Sequence, residues 1–293
     1  MKLGDFLIPL LGLGEAHAHS FVNSFVVNGV RYPGFTPVNH DSVPSVNPPI
    51  LAAWGTDVQD DGWVGELDYA HPDIICHLNA RSPNGNVQIE PGDFITFQWN
   101  GWPESHHGPV MTYMAYCGAD ADTCMRAEKM ELKFFEIDAV GLIDPFATLD
   151  EYYSAFGIWA TDVLIHTNST YTVQVPPSLA PGNYVIRHEL IALHYALDPG
   201  LGPQHYPQCI DVMVSGGGTE VLGGLPGTEL YGRPSDEAGL KYDISQDPLP
   251  PYTVPGPGLV EGAMPSAVQG GAVVTALEDA VPAEVTAAEP SAI

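Results

Sequence analysis

Basic residues are scarce in this chain. Nine lysines and arginines stand against 36 aspartates and glutamates, and the formal net charge is −27 at pH 7. So acidic a surface repels nucleic acid and anionic membranes; it suits a neutral polymer, a cation, or work at acid pH. Long apolar runs are also lacking. Phe6-Leu7-Ile8-Pro9-Leu10-Leu11-Gly12-Leu13 is too short to cross a bilayer, and no later stretch has the length and apolarity of a transmembrane helix. No internal repeat is visible, and no pair of acidic residues reads as the acid and base of a glycosidase. Residues 255–293 contain no lysine, arginine, cysteine or aromatic residue. That segment has little with which to build a core or a small carbohydrate-binding module, and it is expected to be a disordered acidic Ala/Gly/Pro-rich tail.

Cysteine is limited to Cys76, Cys117, Cys124 and Cys209. No pair has the short spacing of a zinc finger, the rival reading. In a secreted chain an even count reads as two disulfides with three possible pairings. Cys117 and Cys124 are close enough for a local staple. Cys76 and Cys209 would then close a long loop, worth roughly 4–5 kcal/mol in the chain-entropy model.

The N-terminus reads as a secretion signal. Lys2 precedes the apolar run, and Ala16 and Ala18 are the small residues that a signal peptidase prefers on either side of one variable position. Asp5 and Glu15 are atypical of such a segment. A cut after Ala18 removes residues 1–18 and makes His19 the first residue of the mature protein. A free backbone amine and an imidazole then sit on one amino acid, which no internal residue can offer a metal.

Strand signals dominate the chain beyond His19. Phe21 to Val27 leads into the tight-turn dipeptide Asn28-Gly29. Phe94-Ile95-Thr96-Phe97-Gln98-Trp99 puts Ile95, Phe97 and Trp99 on one face. Val110 to Tyr116, Tyr171 to Val175, Asn183 to Ile191 and Cys209 to Val214 are further strands. Between them fall Asn47-Pro48-Pro49, Pro91-Gly92, Pro176-Pro177 and Pro181-Gly182. Gly 31 and Pro 28 imply many turns and few long helices. The expected fold is an all-β antiparallel sandwich with long loops, with short helical turns between Asp144 and Asp162. Asn168-Ser169-Thr170 is a glycosylation sequon between two strands.

Alone, the pair in Glu104-Ser105-His106-His107-Gly108-Pro109-Val110 reads as a solvated loop, with Gly108 and Pro109 fixing a turn. Three further segments change that reading: Pro72-Asp73-Ile74-Ile75-Cys76-His77, Arg187-His188-Glu189-Leu190-Ile191-Ala192-Leu193-His194 and Gln204-His205-Tyr206-Pro207-Gln208-Cys209. Together with His19, and in this order, they resemble the fungal lytic polysaccharide monooxygenases of auxiliary activity family nine. The resemblance runs from about His19 to Leu259.

It implies an immunoglobulin-like or fibronectin-like sandwich over 19–254, with a flat copper-bearing face and the disulfides Cys76–Cys209 and Cys117–Cys124. His19, through its amine and ring, and His106 would be the copper ligands, with Tyr206 at the axial position. His194 and Gln204 would hydrogen-bond oxygen beside the metal. Tyr252, in a proline-rich segment, would stack on a sugar ring. The loop from Thr36 to Leu67 offers Trp54 and Trp63 as its tryptophans; Trp54 reads as core, so a second sugar platform is not evident there.

Three nitrogens and an open position suit a copper ion cycling between Cu(II) and Cu(I). The α-amine has an ordinary pKa of about 8, so near-neutral pH already loosens the proton that copper displaces. The implied function is oxidative cleavage of β-1,4-glucan, cellulose above all, at C1, C4 or both. It would use an external electron donor and O2 or H2O2, and the protein would be a secreted monomer. A non-catalytic copper-binding or copper-delivery protein with the same nitrogen set is the alternative. His194, Gln204 and Tyr206 speak against it, because binding alone needs no pocket for oxygen.

Overall fold

Large apolar residues at alternate positions set the two sheets. The computed structural model describes residues 20–37, 49–58, 62–65, 69–147, 157–232, 239–265 and 276–286. In β4 (Phe94–Trp99) the side chains of Ile95, Phe97 and Trp99 are buried, and Phe94 is 54% exposed. Strands β1 (Val22–Val27) and β9 (Thr170–Gln174) pair antiparallel on its two sides. Asn28 and Gly29, both at positive φ, turn β1 into β2 (Val30–Pro33), the tight hairpin that Asn-Gly favours. With β13 (Glu278–Asp279) these strands form a sheet ordered β13-β2-β1-β4-β9.

The second sheet runs β12 (Leu225–Pro226), β6 (Lys133–Val140), β5 (Val110–Gly118), β10 (Gly182–Ala192), β11 (Gln204–Val214), β3 (Gly85–Ile89) and β14 (Ala283–Glu284). A small pair, β7 (Leu142–Asp144) and β8 (Ile158–Trp159), lies beside it. Helices are short: α1 (Asp73–Cys76), α2 (Thr123–Arg126) and α3 (Ala160–His166). Residues 148–156 of the stretch expected to hold helical turns lie outside the described residues. No helix among the described residues is long and apolar enough to cross a membrane.

Strand β10 is buried along its whole length. Tyr184, Ile186, Leu190 and Ala192 face the sandwich interior with Phe97, Trp99 and Ile210. Val185, Ile191 and Leu193 face a second apolar cluster with Trp54, Tyr113, Trp159 and Tyr231. Cys76–Cys209 and Cys117–Cys124 are both bonded, with Cα separations of 5.3 and 5.1 Å. Trp54 is buried, as expected, and its Nε1 donates to Asp211 Oδ1 at 2.7 Å.

One expectation for the tail is corrected. Within 255–293, residues 276–286 lie along both sheet edges: β13 pairs parallel with β2, and β14 pairs antiparallel with β3. Leu277 N donates to Gly29 O, Val285 N donates to Asn84 O, and Asp279 pairs with Arg31 at 2.6 Å. Nearer the start of that segment, Val260 N donates to Glu136 O. Composition missed this because an unpaired strand edge recruits backbone groups and asks little of the side chains.

Buried ionisable groups give the fold a pH dependence. Burial raises Glu136, beside Tyr113, Asp138 and Glu189, to about 7, and raises Asp211 to about 8. Stability from these two is fully present below their ordinary values near 4.5 and 3.8, and is lost as pH rises through about 7 and about 8. Two groups act in the opposite sense. Burial lowers His188 to about 3, and Arg187 with His205 holds Glu189 at about 2 against its own burial. Stability from His188 is lost as pH falls from 6.5 towards 3, and that from Glu189 as pH falls from 4.5 towards 2. The melting temperature should therefore be higher at about pH 5 than at about pH 8 and fall again in stronger acid. Glu136→Gln with Asp211→Asn should remove most of the rise in a melting series across pH. An unchanged slope in the double variant would contradict the assignment.

Candidate metal centre

The β4–β5 loop carries His106 and is tied down from several directions. His106 N donates to Pro103 O at 3.0 Å, and Trp102 Nε1 donates to His106 O at 2.8 Å, so the turn is fixed by the main chain of residue 106. Leu193 N donates to His107 O at 2.9 Å. Gly108 N donates to Thr161 Oγ1 at 3.0 Å, and Thr161 N returns a bond to Gly108 O. A Cβ at Gly108 would lie 1.9 Å from Ile191 O, so glycine is what lets the loop close on β10.

His107 is buried, with Nδ1 at 2.8 Å from Asp162 Oδ1 in α3, while Asp162 Oδ2 accepts Trp159 N at 2.7 Å. The second histidine of the pair thus anchors the loop. For the first, Ser105 Oγ lies 3.1 Å from His106 Nδ1, so Nε2 is the candidate nitrogen for a metal.

Around that ring the structure gathers several of the expected residues. His194, at the end of β10, lies with its ring centroid 4.0 Å from that of His106. Gln204 and Tyr206, two apart on β11, share a face, and Tyr206 Oη donates to Gln204 Oε1 at 3.0 Å. Trp102 stands edge-on to both His106 and Tyr206, with centroids at 5.8 and 5.0 Å. Burial pushes the Tyr206 phenol well above its ordinary range, which keeps it protonated. Among the described residues no group of three or more His, Cys, Asp or Glu side chains is assembled to hold a metal.

His19 lies outside the described residues, as does the segment 1–18. Its neighbour Ser20 is described and buried. Ser20 Oγ donates to Asn100 Oδ1 at 2.5 Å and is bonded to Gly101 O, and Phe21 N donates to Asn100 Oδ1 at 2.9 Å. The described chain thus begins against the loop that carries Trp102 and His106.

Other expected residues are placed differently. Tyr252 is half-buried; its hydroxyl donates to Gly239 O, and its ring meets Trp159 at 4.7 Å and Tyr242 at 4.9 Å, both edge-on. Asn168 is exposed in the turn between α3 and β9. His188 is fully buried, stacked on Phe97 at 4.1 Å and bonded to Thr112. His205 is buried between Glu189 and Tyr69. Trp102 was not anticipated, although its position four residues before His106 was a usable signal.

Comparison with known proteins fits this arrangement. The family model of Auxiliary Activity family 9, formerly GH61, matches residues 19–252. The AA9 family lytic polysaccharide monooxygenase D of Podospora anserina is 41% identical over 270 residues, covering 92% of this chain and 74% of that protein. The AA9 family lytic polysaccharide monooxygenase B of Aspergillus fumigatus is 44% identical over 241 residues, 82% of this chain and 90% of that protein. The extended catalytic domain of H. jecorina LPMO9A superposes with a TM-score of 0.79 at 40% identity, covering 91% of this chain and all of that one. A cellulose-active polysaccharide monooxygenase from M. thermophila superposes at 0.66 with 28% identity, covering 83% of this chain and all of that one. The chain belongs to Auxiliary Activity family 9, the copper-dependent lytic polysaccharide monooxygenases.

Proposed function

We propose that this chain is a secreted enzyme that cleaves β-1,4-glucan chains of cellulose by oxidation at C1, C4 or both. The observation that carries the reading is the cluster His106, His194, Gln204 and Tyr206, with the chain entering at Ser20 beside the same loop. Successive Cα atoms are ~3.8 Å apart, so a mature terminus at His19 would begin one residue before Ser20, which is itself bonded to Asn100 and Gly101. The amine and imidazole nitrogens of His19 and His106 Nε2 would hold the metal, with the protonated phenol of Tyr206 near the same ring. Nitrogen donors without a carboxylate suit copper, which leads the divalent affinity order.

Copper bound there supplies the redox chemistry that activates O2 or H2O2 with electrons from an external donor. The protein residues do the rest. His194 is an imidazole beside the ligand ring and can donate a hydrogen bond to oxygen. Gln204 accepts the Tyr206 hydroxyl on its Oε1, which leaves its amide N–H groups as the donors it would offer oxygen. Trp102 packs edge-on against the His106 ring.

Cellulose is the favoured substrate because the M. thermophila structure is of a cellulose-active relative and the surface of this chain is too acidic for an anionic polymer. The uncovered part of the Tyr252 ring is a candidate sugar contact, and Asn168 is a candidate glycan site. A monomer beginning at His19 completes the reading. The test is copper titration of the processed protein, followed by product analysis on cellulose with ascorbate. One tightly bound copper and oxidised oligosaccharides are expected; either one missing overturns the reading.

A further inference from the structure

Tyr195 is an exposed aromatic ring attached to the metal centre. It follows His194 directly, and the two rings lie 4.4 Å apart, while His194 is 4.0 Å from His106. Tyr195 is nevertheless 46% exposed. The exposed aromatic residues among those described are Phe94, Phe146 and Tyr195, and only Tyr195 has a ring contact to the site.

Its loop is held in one shape. Ala196 N donates to Leu193 O, Asp198 N to Tyr195 O and Gly202 N to Asp198 O. The Asp198 carboxylate accepts the N–H groups of Gly200 and Leu201 at 2.8 and 2.9 Å. Leu197 and Leu201, 55% and 39% exposed, extend the apolar character of this loop. An exposed apolar patch on a fixed loop is costly to leave in water unless it meets a partner.

We propose that Tyr195 is a substrate-positioning residue that stacks on a pyranose ring of the β-1,4-glucan and holds the chain over the copper site. The occupant is set by continuity with that site, and the proposal rests on the chain being a cellulose-cleaving enzyme. A tyrosine face matches the apolar C–H face of a β-linked glucose unit, and the net charge of −27 disfavours an anionic polymer.

Adsorption to microcrystalline cellulose without reductant isolates binding from turnover. Tyr195→Ala is expected to weaken partitioning about 3- to 10-fold, the loss of one aromatic stacking contact. Tyr195→Phe and Tyr195→Trp should retain it. Melting temperature and copper affinity of all three should match the wild type, which a merely structural role for the ring would not allow. Wild-type partitioning by Tyr195→Ala overturns the proposal, as does loss in Tyr195→Phe or absence of adsorption by the wild-type protein. The enzymatic reading fails on a different result, the lack of oxidised products from copper-loaded wild type.

Discussion

Replacing His106 with alanine is expected to lower copper affinity by at least ~100-fold, more than the 10–100-fold typical when only a hydrogen-bond partner of a ligand is removed. The substitution removes one of the three nitrogens of the proposed ligand set. It leaves the loop intact, because the bonds that fix the turn, Trp102 Nε1 to residue 106 O and residue 106 N to Pro103 O, belong to the main chain. His107 and Asp162 still anchor the following residue. The apo variant should therefore melt close to the wild type while isothermal titration finds no tight copper. An affinity within tenfold of the wild type would remove His106 from the ligand set.

The second large effect concerns the fold beneath the site. Arg187 is fully buried, its NH1 and NH2 donating to Glu189 Oε2 and Oε1 at 2.6 and 2.9 Å. Its Nε and NH2 also donate to Ile75 O and Ile74 O, both at 2.7 Å, in the helix that carries Cys76. The guanidinium lies over Tyr113 and Tyr231. Arg187→Ala should destabilise the protein by about 3–5 kcal/mol, since it strands the Glu189 carboxylate in the interior. Among the described residues, Glu189 would keep the donors His205 and Tyr231. Arg187→Met combined with Glu189→Leu should be less destabilised than Arg187→Met alone, because no unpaired charge is left behind. Denaturant midpoints decide this. A loss under about 1 kcal/mol for Arg187→Ala would place the pair among interactions of surface strength.

That strand also shows where sequence reading succeeds and where it stops. Strand β4 was legible because Ile95, Phe97 and Trp99 keep a period of two over a half-buried strand. The turn at Asn28-Gly29 was legible from its chemistry, and the Cys117–Cys124 staple from proximity. The extent of β10 was nearly so. What the pattern concealed is that Arg187, His188 and Glu189 are all buried, on a strand with no solvent face. Strand β6 was missed for the same reason: Glu136 and Asp138 look like a wet face and are 2% and 1% exposed.

The candidate site was legible only through ordered motifs, because its residues come from one loop, one strand end and one strand start that the chain brings together late. Tyr195 escaped because exposure belongs to the folded surface and leaves no trace in spacing. The structured part of the tail escaped because its strand pairing is made by backbone, with Asp279 to Arg31 the one side-chain ion pair among the described residues there.

The central claim is that a mature terminus at His19 completes the copper site. Its most direct test compares oxidised oligosaccharides released from cellulose, with copper and ascorbate, by protein beginning at His19 and by protein retaining Ala18. Release by the first and none by the second is predicted, since an acylated nitrogen cannot serve as the amine ligand. Equal release by both would contradict it.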